Sequence, residues 1–378
     1  MANQKKFALA KGPYIRTADW GRNTHTIMRD FIISILPLIL FAWYKNGIKP
    51  LIDGNVGVFQ MLYPLLFILI GGLTAYVVEG LYFLIFFKEK NIFTKLSNSF
   101  AIIPGLLLAM VLPLHTPIWV LVFGVIFGTV IGKLIFGGFG FNLFNPALIG
   151  YVFVIAAFSS VINANGGYLN GNELLVTGAT PLSDFFSTFK ESKMSMDEAL
   201  KSAGGLLNIF IGTIPGSMAE TSSLLCIVAL VYLLVRKVIN WRIPVIYIGG
   251  VFVFTLIIGL VTGYGFDLRF PLYNVFTGGV MFGAVFMASE PVTSPRTPNG
   301  EIVFGAFLAA ITVMLRYLKL QEGVATTILF MNLFTPLIDN SMAKLRVSDS
   351  PKKMVVTYVL IGVGVLAIFG FTLLQMGV

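Results

Sequence analysis

Ile243-Pro-Val-Ile-Tyr-Ile-Gly-Gly-Val-Phe-Val-Phe-Thr-Leu-Ile-Ile-Gly-Leu-Val-Thr262 is a run without a single charged residue. Wound as an α-helix at about 1.5 Å per residue it reaches about 30 Å, the thickness of the hydrocarbon core of a bilayer. Comparable runs cover approximately 28–44, 60–87, 100–113, 117–136, 145–161, 221–235, 274–288, 302–318, 323–338 and 353–376. The whole chain has the composition these runs require, with 57% hydrophobic and 11% charged residues in 378 and a mean hydropathy of +0.88. A soluble globule of this size could not cover its surface with so little polar material. The sequence therefore predicts an all-α polytopic membrane protein of about ten or eleven spans.

One cysteine and two histidines exclude a disulfide framework, a Cys/His metal cluster and the usual Ser/His/Asp arrangement. Cys226, inside Ser-Ser-Leu-Leu-Cys-Ile-Val, reads as a packed core thiol. The net charge of +9 is spread between apolar runs rather than gathered into one nucleic-acid-binding stripe. Its distribution reads as a topology signal. With the N-terminus inside, eighteen of the 26 Lys and Arg residues fall on the cytoplasmic side, among them Lys133, Arg236 and Arg242. Eight fall outside, and the long polar segment from about Ser159 to Glu220 lies outside with them and is net acidic. The leader lacks a small-residue cleavage site after its first apolar run, so that run is read as a retained helix.

The chain also echoes itself. Gly105-Leu-Leu-Leu-Ala-Met-Val-Leu-Pro113 matches Gly283-Ala-Val-Phe-Met-Ala-Ser-Glu-Pro291 in spacing, Val122-Phe-Gly124 matches Val303-Phe-Gly305, and Asn142-Leu-Phe-Asn-Pro146 resembles Asn332-Leu-Phe-Thr-Pro336. Five spans separate the equivalents. Because five is odd, the halves enter the membrane in opposite directions, giving an inverted repeat of five plus five helices with an additional C-terminal helix outside it. The expected organisation is a cytoplasmic leader (1–27), a first five-helix repeat (28–161), an extracytoplasmic loop (162–220), a second repeat (221–338) and a linker with the extra helix (339–378).

In inverted repeats the functional centre lies where Gly/Pro-interrupted helices of the two halves meet. The candidates are the spans carrying Pro104-Gly105 and Gly278-Gly279. Gly124, Gly128 and Gly132, four apart, read as a close helix-packing face. Polar groups inside apolar spans need a reason, and Glu79, Asn142, Asn145 and Asn332 are the candidates for an ion path. Glu290 precedes a proline-rich turn and reads equally as a loop lock, whereas Arg316 and Asp339 read as helix-end groups that snorkel or pair. The two asparagine-proline segments are expected to break their helix starts alike and shape a cavity. His25 and His115 fall at membrane edges.

Five segments jointly carry a resemblance: Gly137-Gly-Phe-Gly-Phe-Asn-Leu-Phe-Asn-Pro-Ala-Leu148, Gly178-Ala-Thr-Pro-Leu182, Gly212-Thr-Ile-Pro-Gly-Ser-Met-Ala-Glu-Thr-Ser222, Ala288-Ser-Glu-Pro-Val-Thr-Ser-Pro295 and Met331-Asn-Leu-Phe-Thr-Pro-Leu-Ile-Asp339. In this order they resemble the family formed by the D subunit of the Rnf complex (RnfD) and the B subunit of the sodium-pumping NADH:quinone oxidoreductase. The short leader and Gly-Ala-Thr-Pro-Leu look more like the Rnf protein, and Ile-Pro-Gly-Ser looks like the quinone-reducing relative.

The resemblance implies a multi-pass member of a bacterial inner-membrane complex that relays electrons between ferredoxin and NAD, coupled to export of Na+ or H+. It implies covalent FMN on Thr180, within Thr177-Gly178-Ala179-Thr180, installed by an exported flavin transferase, and partner subunits carrying iron–sulfur clusters and a second covalent FMN. Some family members also hold riboflavin non-covalently. The family's modification motif usually has an aspartate six residues before the threonine, where this chain has Leu174, with Glu173 one residue earlier. The competing readings are a transporter or channel of the same architecture without a redox role, and a scaffold whose neighbour conducts the ion.

Overall fold

The structure, a computed structural model, describes residues 23–88, 90–164, 196–202, 204–214, 216–318, 323–347 and 351–376. The regular structure of these described residues is all helical, and a helical segment stands at each of the eleven expected positions. In chain order the elements are α1 (Thr24–Ile52), α2 (Val58–Phe87), α3 (Ile92–Ser99), α4 (Ile102–Val111), α5 (Ile118–Leu134), α6 (Pro146–Ala164), α7 (Met196–Ser202) and α8 (Leu206–Ile211). There follow α9 (Ser223–Val235), α10 (Arg242–Thr262), α11 (Arg269–Phe276), α12 (Val280–Ala288), α13 (Pro298–Tyr317), α14 (Gly323–Val347) and α15 (Pro351–Met376). Five of the described helices (α1, α2, α10, α13 and α15) are long and apolar enough to cross a membrane on their own, and seven spans result if α3 with α4 and α11 with α12 each count as one bent span.

The helices are fixed by local chemistry at their ends. Asn23 caps α1 by accepting from Thr26 N at 2.9 Å; Thr297 caps α13 by accepting from Gly300 N at 3.2 Å. Each cap satisfies one of the four orphan N–H groups of a helix start. The two bent pairs have a different cause. Phe100 (φ 51) and the Gly278-Gly279 pair (φ 63 and 72) are left-handed, so the chain turns by 48° between α3 and α4 and by 63° between α11 and α12. The first break therefore falls at Phe100, not at Pro104-Gly105. Pro104 instead sits in the first turn of α4, where it has no helical N–H to lose.

Packing repeats along the chain. In the first half α2 packs on α4 and α5, and α5 on α6; in the second half α10 packs on α11, α12 and α13, and α13 on α14. The halves touch through α1 against α9 and α6 against α14. Small residues set the closest crossings. A Cβ at Gly105 would overlap the Gly71 carbonyl, and one at Gly132 would lie 2.8 Å from Pro146 Cα, so α2–α4 and α5–α6 approach backbone to backbone. The expected Gly124/Gly128/Gly132 face is present on α5.

Two ion pairs collect helix ends at one end of the bundle. Arg236, just after α9, bonds Asp30 in α1 at 2.9 Å, and Arg242 in the first turn of α10 bonds Glu301 in the first turn of α13 at 3.0 Å. The starts of α1, α10 and α13 and the finish of α9 therefore share that end. At the opposite end, Lys45 Nζ in α1 donates to the Ile214 carbonyl at 2.6 Å and to Thr221 Oγ1 at 3.0 Å. Helix α15 docks on α13 through one narrow stripe and on α10 through Phe369 stacked on Phe254 at 4.7 Å, and exposes Val355, Val359, Leu360, Val363 and Leu366. An apolar row of that kind suits lipid rather than water.

Candidate functional site

Five of the expected polar residues, Glu79, Asn142, Asn145, Glu290 and Asn332, converge near the first break. Glu79 from α2 and Lys133 from a π-helical turn closing α5 are both buried, and their charges pair at 2.8 Å. Lys133 Nζ also donates to the Ser99 carbonyl at 2.7 Å, and Ser99 Oγ donates to the second Glu79 oxygen. An unpaired charge would be costly here, so the pairing is what permits both groups to be buried. Lys133 is thus not a cytoplasmic loop charge: the terminal turn of α5 carries it into the interior, where the broken helix end and Glu79 receive it.

Beside this pair lies Glu290, at the exit of α12. Asn145 uses its carbonyl to cap α6, accepting from Ala147 N at 3.0 Å and Leu148 N at 3.3 Å, and donates its amide to Glu290 at 2.9 Å. Thr293 Oγ1 donates to the same carboxylate oxygen at 3.3 Å. With its amide oriented so that both ends are satisfied, Asn332 accepts from Asn145 N at 3.2 Å and donates to the Ile328 carbonyl at 3.3 Å. Two residues from different halves therefore meet directly, and Glu290 is tied to them. A small cavity of about 20 Å³, room for about one water, opens here, lined by Lys133, Asn142 and Glu290 among Phe31, Phe100 and Phe139.

The asparagine-proline segments differ in one respect from expectation. Asn142–Pro146 precedes a helix start, but Asn332 and Pro336 lie inside the continuous α14. Pro336 tolerates that position because a proline in a membrane helix frees backbone groups that neighbours can satisfy; Thr335 nearby donates to the Thr293 carbonyl at 3.1 Å.

A second polar cluster occupies the other break. Arg316 is buried, so it does not snorkel: its guanidinium donates to the carbonyls of Asn274 at 2.8 Å, Thr277 at 3.1 Å and Gly278 at 2.7 Å, the unsatisfied end of α11. Glu220 approaches from the other side, where a Cβ on Gly279 would lie 2.8 Å from its carboxylate. The segment bearing Glu220 is woven into the bundle, with Met218 N and Ala219 N donating to the Leu112 and Met110 carbonyls at 3.2 and 3.0 Å. Asp339, expected at a helix end, lies inside the continuous α14, and it pairs with the end of a different helix, accepting from Arg296 N and Thr297 N before α13 at 2.9 and 3.0 Å. His25, exposed, bonds Asn98 at 2.7 Å, and Cys226 is a buried free thiol.

Sequence reasoning missed the buried roles of Lys133 and Arg316. A signal existed: the two are 183 residues apart, between the offsets of 181 and 190 that relate the echoing segments on either side. Thr177, Gly178, Ala179 and Thr180 lie outside the described residues.

The model of the NQR2, RnfD, RnfE family matches residues 8–348. The chain belongs to that family. Among NQR2, RnfD, RnfE relatives, the D subunit of the proton-translocating ferredoxin:NAD(+) oxidoreductase complex of Clostridium ljungdahlii is 33% identical, over 88% of this chain and 93% of its own. The D subunit of the Na(+)-translocating ferredoxin:NAD(+) oxidoreductase complex of Acetobacterium woodii is 29% identical over 89% and 94%. A third, the B subunit of the Na(+)-translocating NADH-quinone reductase of Chromohalobacter salexigens, is 34% identical over 74% of this chain and 66% of its own. The NQR2, RnfD, RnfE family thus includes relatives named for either ion and for either electron acceptor.

Proposed function

We propose that this chain is the membrane-embedded D subunit of an ion-translocating ferredoxin:NAD oxidoreductase complex, in which it carries FMN covalently on Thr180 and relays electrons coupled to export of Na+ or H+. The observation that carries the choice is coverage. The match covers 93% and 94% of the two ferredoxin:NAD relatives and 88% and 89% of this chain, against 66% and 74% for the quinone reductase relative. No Gly-x-Gly-x-x-Gly turn opening a helix and no cysteine ligand set occur in the sequence, so on this reading nucleotide and iron–sulfur chemistry belong to partner subunits.

The reading includes an inverted repeat of five plus five helices. Its support is the recurrence of one packing order in both halves, the bent pair standing third in each, and contact of the halves through like-numbered helices, first with first and fifth with fifth. A two-fold axis in the membrane plane generates that pattern. In the orientation with the N-terminus cytoplasmic, the Glu79–Lys133 and Asn145–Glu290–Asn332 groups lie toward the inside. The Lys45 and Glu220 end, to which α7 is tied by Arg269–Asp197 at 2.6 Å, lies toward the outside with the Thr180 loop. Bound FMN supplies reversible electron transfer, and this chain's part is to offer the Thr180 hydroxyl as phosphoester acceptor and hold the loop at that face.

The test is in-gel flavin fluorescence of the denatured chain co-expressed with a flavin transferase, beside Thr180→Ala, with the mass of the 171–190 region determined. Fluorescence in the parent alone, with an FMN increment on Thr180, supports the reading. A dark parent despite an active transferase would point to a transporter of the same fold.

A further inference from the structure

Each broken helix ends on a buried cation. The last carbonyls of a helix lack intrahelical donors and carry partial negative charge. In broken membrane helices such carbonyls are where a free cation is coordinated. Here the Ser99 carbonyl of α3 is met by Lys133 Nζ at 2.7 Å, and the α11 end is met by Arg316 at 2.7 to 3.1 Å. The correspondence is positional as well as chemical. Phe100 and Gly278, the left-handed residues of the two breaks, stand 178 residues apart, the same offset as Gly105 and Gly283.

The two ends differ in what else surrounds the cation. Around Lys133 Nζ the partners are a Glu79 carboxylate oxygen at 2.8 Å and the Ser99 carbonyl, with Ser99 Oγ hydrogen-bonded to that same carboxylate. A carboxylate, a carbonyl and a hydroxyl are the oxygen donors that a hard cation selects. An ammonium is a compact point charge on a flexible stem. Lys133 also lines the small cavity that Glu290 and Asn142 share, so a second carboxylate stands on that cavity's wall as an alternative partner. Arg316 has neither freedom: its planar fork is spent on three separate carbonyls.

We propose that Glu79 and Ser99 form a binding site for a hard monovalent cation that the Lys133 ammonium occupies as a tethered substitute, giving way toward Glu290 when a free ion enters, while Arg316 keeps the equivalent position at the second break closed. This deepens the ion-path part of the function proposed above. It does not depend on the flavin, so the test uses chain made without a transferase.

The experiment measures thermal unfolding of the full-length chain in detergent as sodium chloride replaces choline chloride at constant ionic strength. A ligand that binds only the folded state stabilises it in proportion to ln(1 + [Na+]/Kd). Lys133→Met vacates the site but keeps Glu79, and its melting temperature is expected to climb with sodium more steeply than that of the parent. Glu79→Gln in the Lys133→Met background is expected to be flat. Recovery of folded Lys133→Met only in sodium also supports the proposal. It is overturned if Lys133→Met is indifferent to sodium, if the double variant responds as strongly as the single one, or if the single variant is unfolded in both salts while the double variant folds. Arg316→Met should gain no sodium response; an equal gain there would refute the asymmetry between the breaks.

Discussion

Replacing Arg316 by methionine keeps an unbranched apolar stem but removes the guanidinium and with it every donor. Three carbonyls at the end of α11, those of Asn274, Thr277 and Gly278, then lose their partner inside the protein. Hydrogen bonds from a charged donor are worth about 1.5–3 kcal/mol each, which for three bonds would overshoot because the guanidinium itself is costly to bury. Setting that cost against the bonds leaves an expected loss of about 3–5 kcal/mol, as for breaking other buried charged contacts. A domain stable by roughly 5–15 kcal/mol would feel it strongly. Arg316→Lys keeps the charge but offers a single point donor, so it should lose less, about 1–3 kcal/mol. The assay is unfolding by SDS titration in detergent, followed by tryptophan fluorescence. If Arg316→Met loses under about 1 kcal/mol, the guanidinium is not what holds the second break, because an exposed arginine would give that value.

Three further outcomes are expected. Gly105→Val puts a Cβ into the Gly71 carbonyl and should cost about 1–3 kcal/mol by overpacking, whereas Gly362→Val on the open side of α15 should be neutral; equal effects in the same SDS titration would contradict the close α2–α4 crossing. Asp339→Ala leaves Arg296 N, Thr297 N and the Thr297 hydroxyl without their acceptor, so loss of about 1–2 kcal/mol is expected, with faster hydrogen exchange confined to the start of α13. In the loop before α11, hydrogen bonds from Arg269 hold the Asp267 carboxyl below its ordinary value of 3.8. Its contribution is therefore fully present above that value and is lost as pH falls through the lower folded value. Exchange at Leu268–Phe270 should accelerate in that acid window, and Asp267→Asn should abolish the acceleration.

The sequence alone determined what the bilayer dictates. A run such as Ile243–Thr262 must form a helix in lipid because no other open structure satisfies its backbone, and the same argument located all eleven helical segments. Repeat spacing singled out Asn142, Asn145 and Asn332, and Gly278-Gly279 marked a true break because left-handed backbone is what glycine permits. Phe100 gave no such sign, since a phenylalanine is forced to positive φ only by surroundings remote in sequence. The fate of the charges was likewise a tertiary matter. Lys133 and Arg316 look like ordinary loop cations when read along the chain. Each becomes interior only because a helix from elsewhere brings a carboxylate or a row of unsatisfied carbonyls to within 2.7–3.1 Å, and no local property of a lysine or arginine encodes which oxygens will be there to receive it.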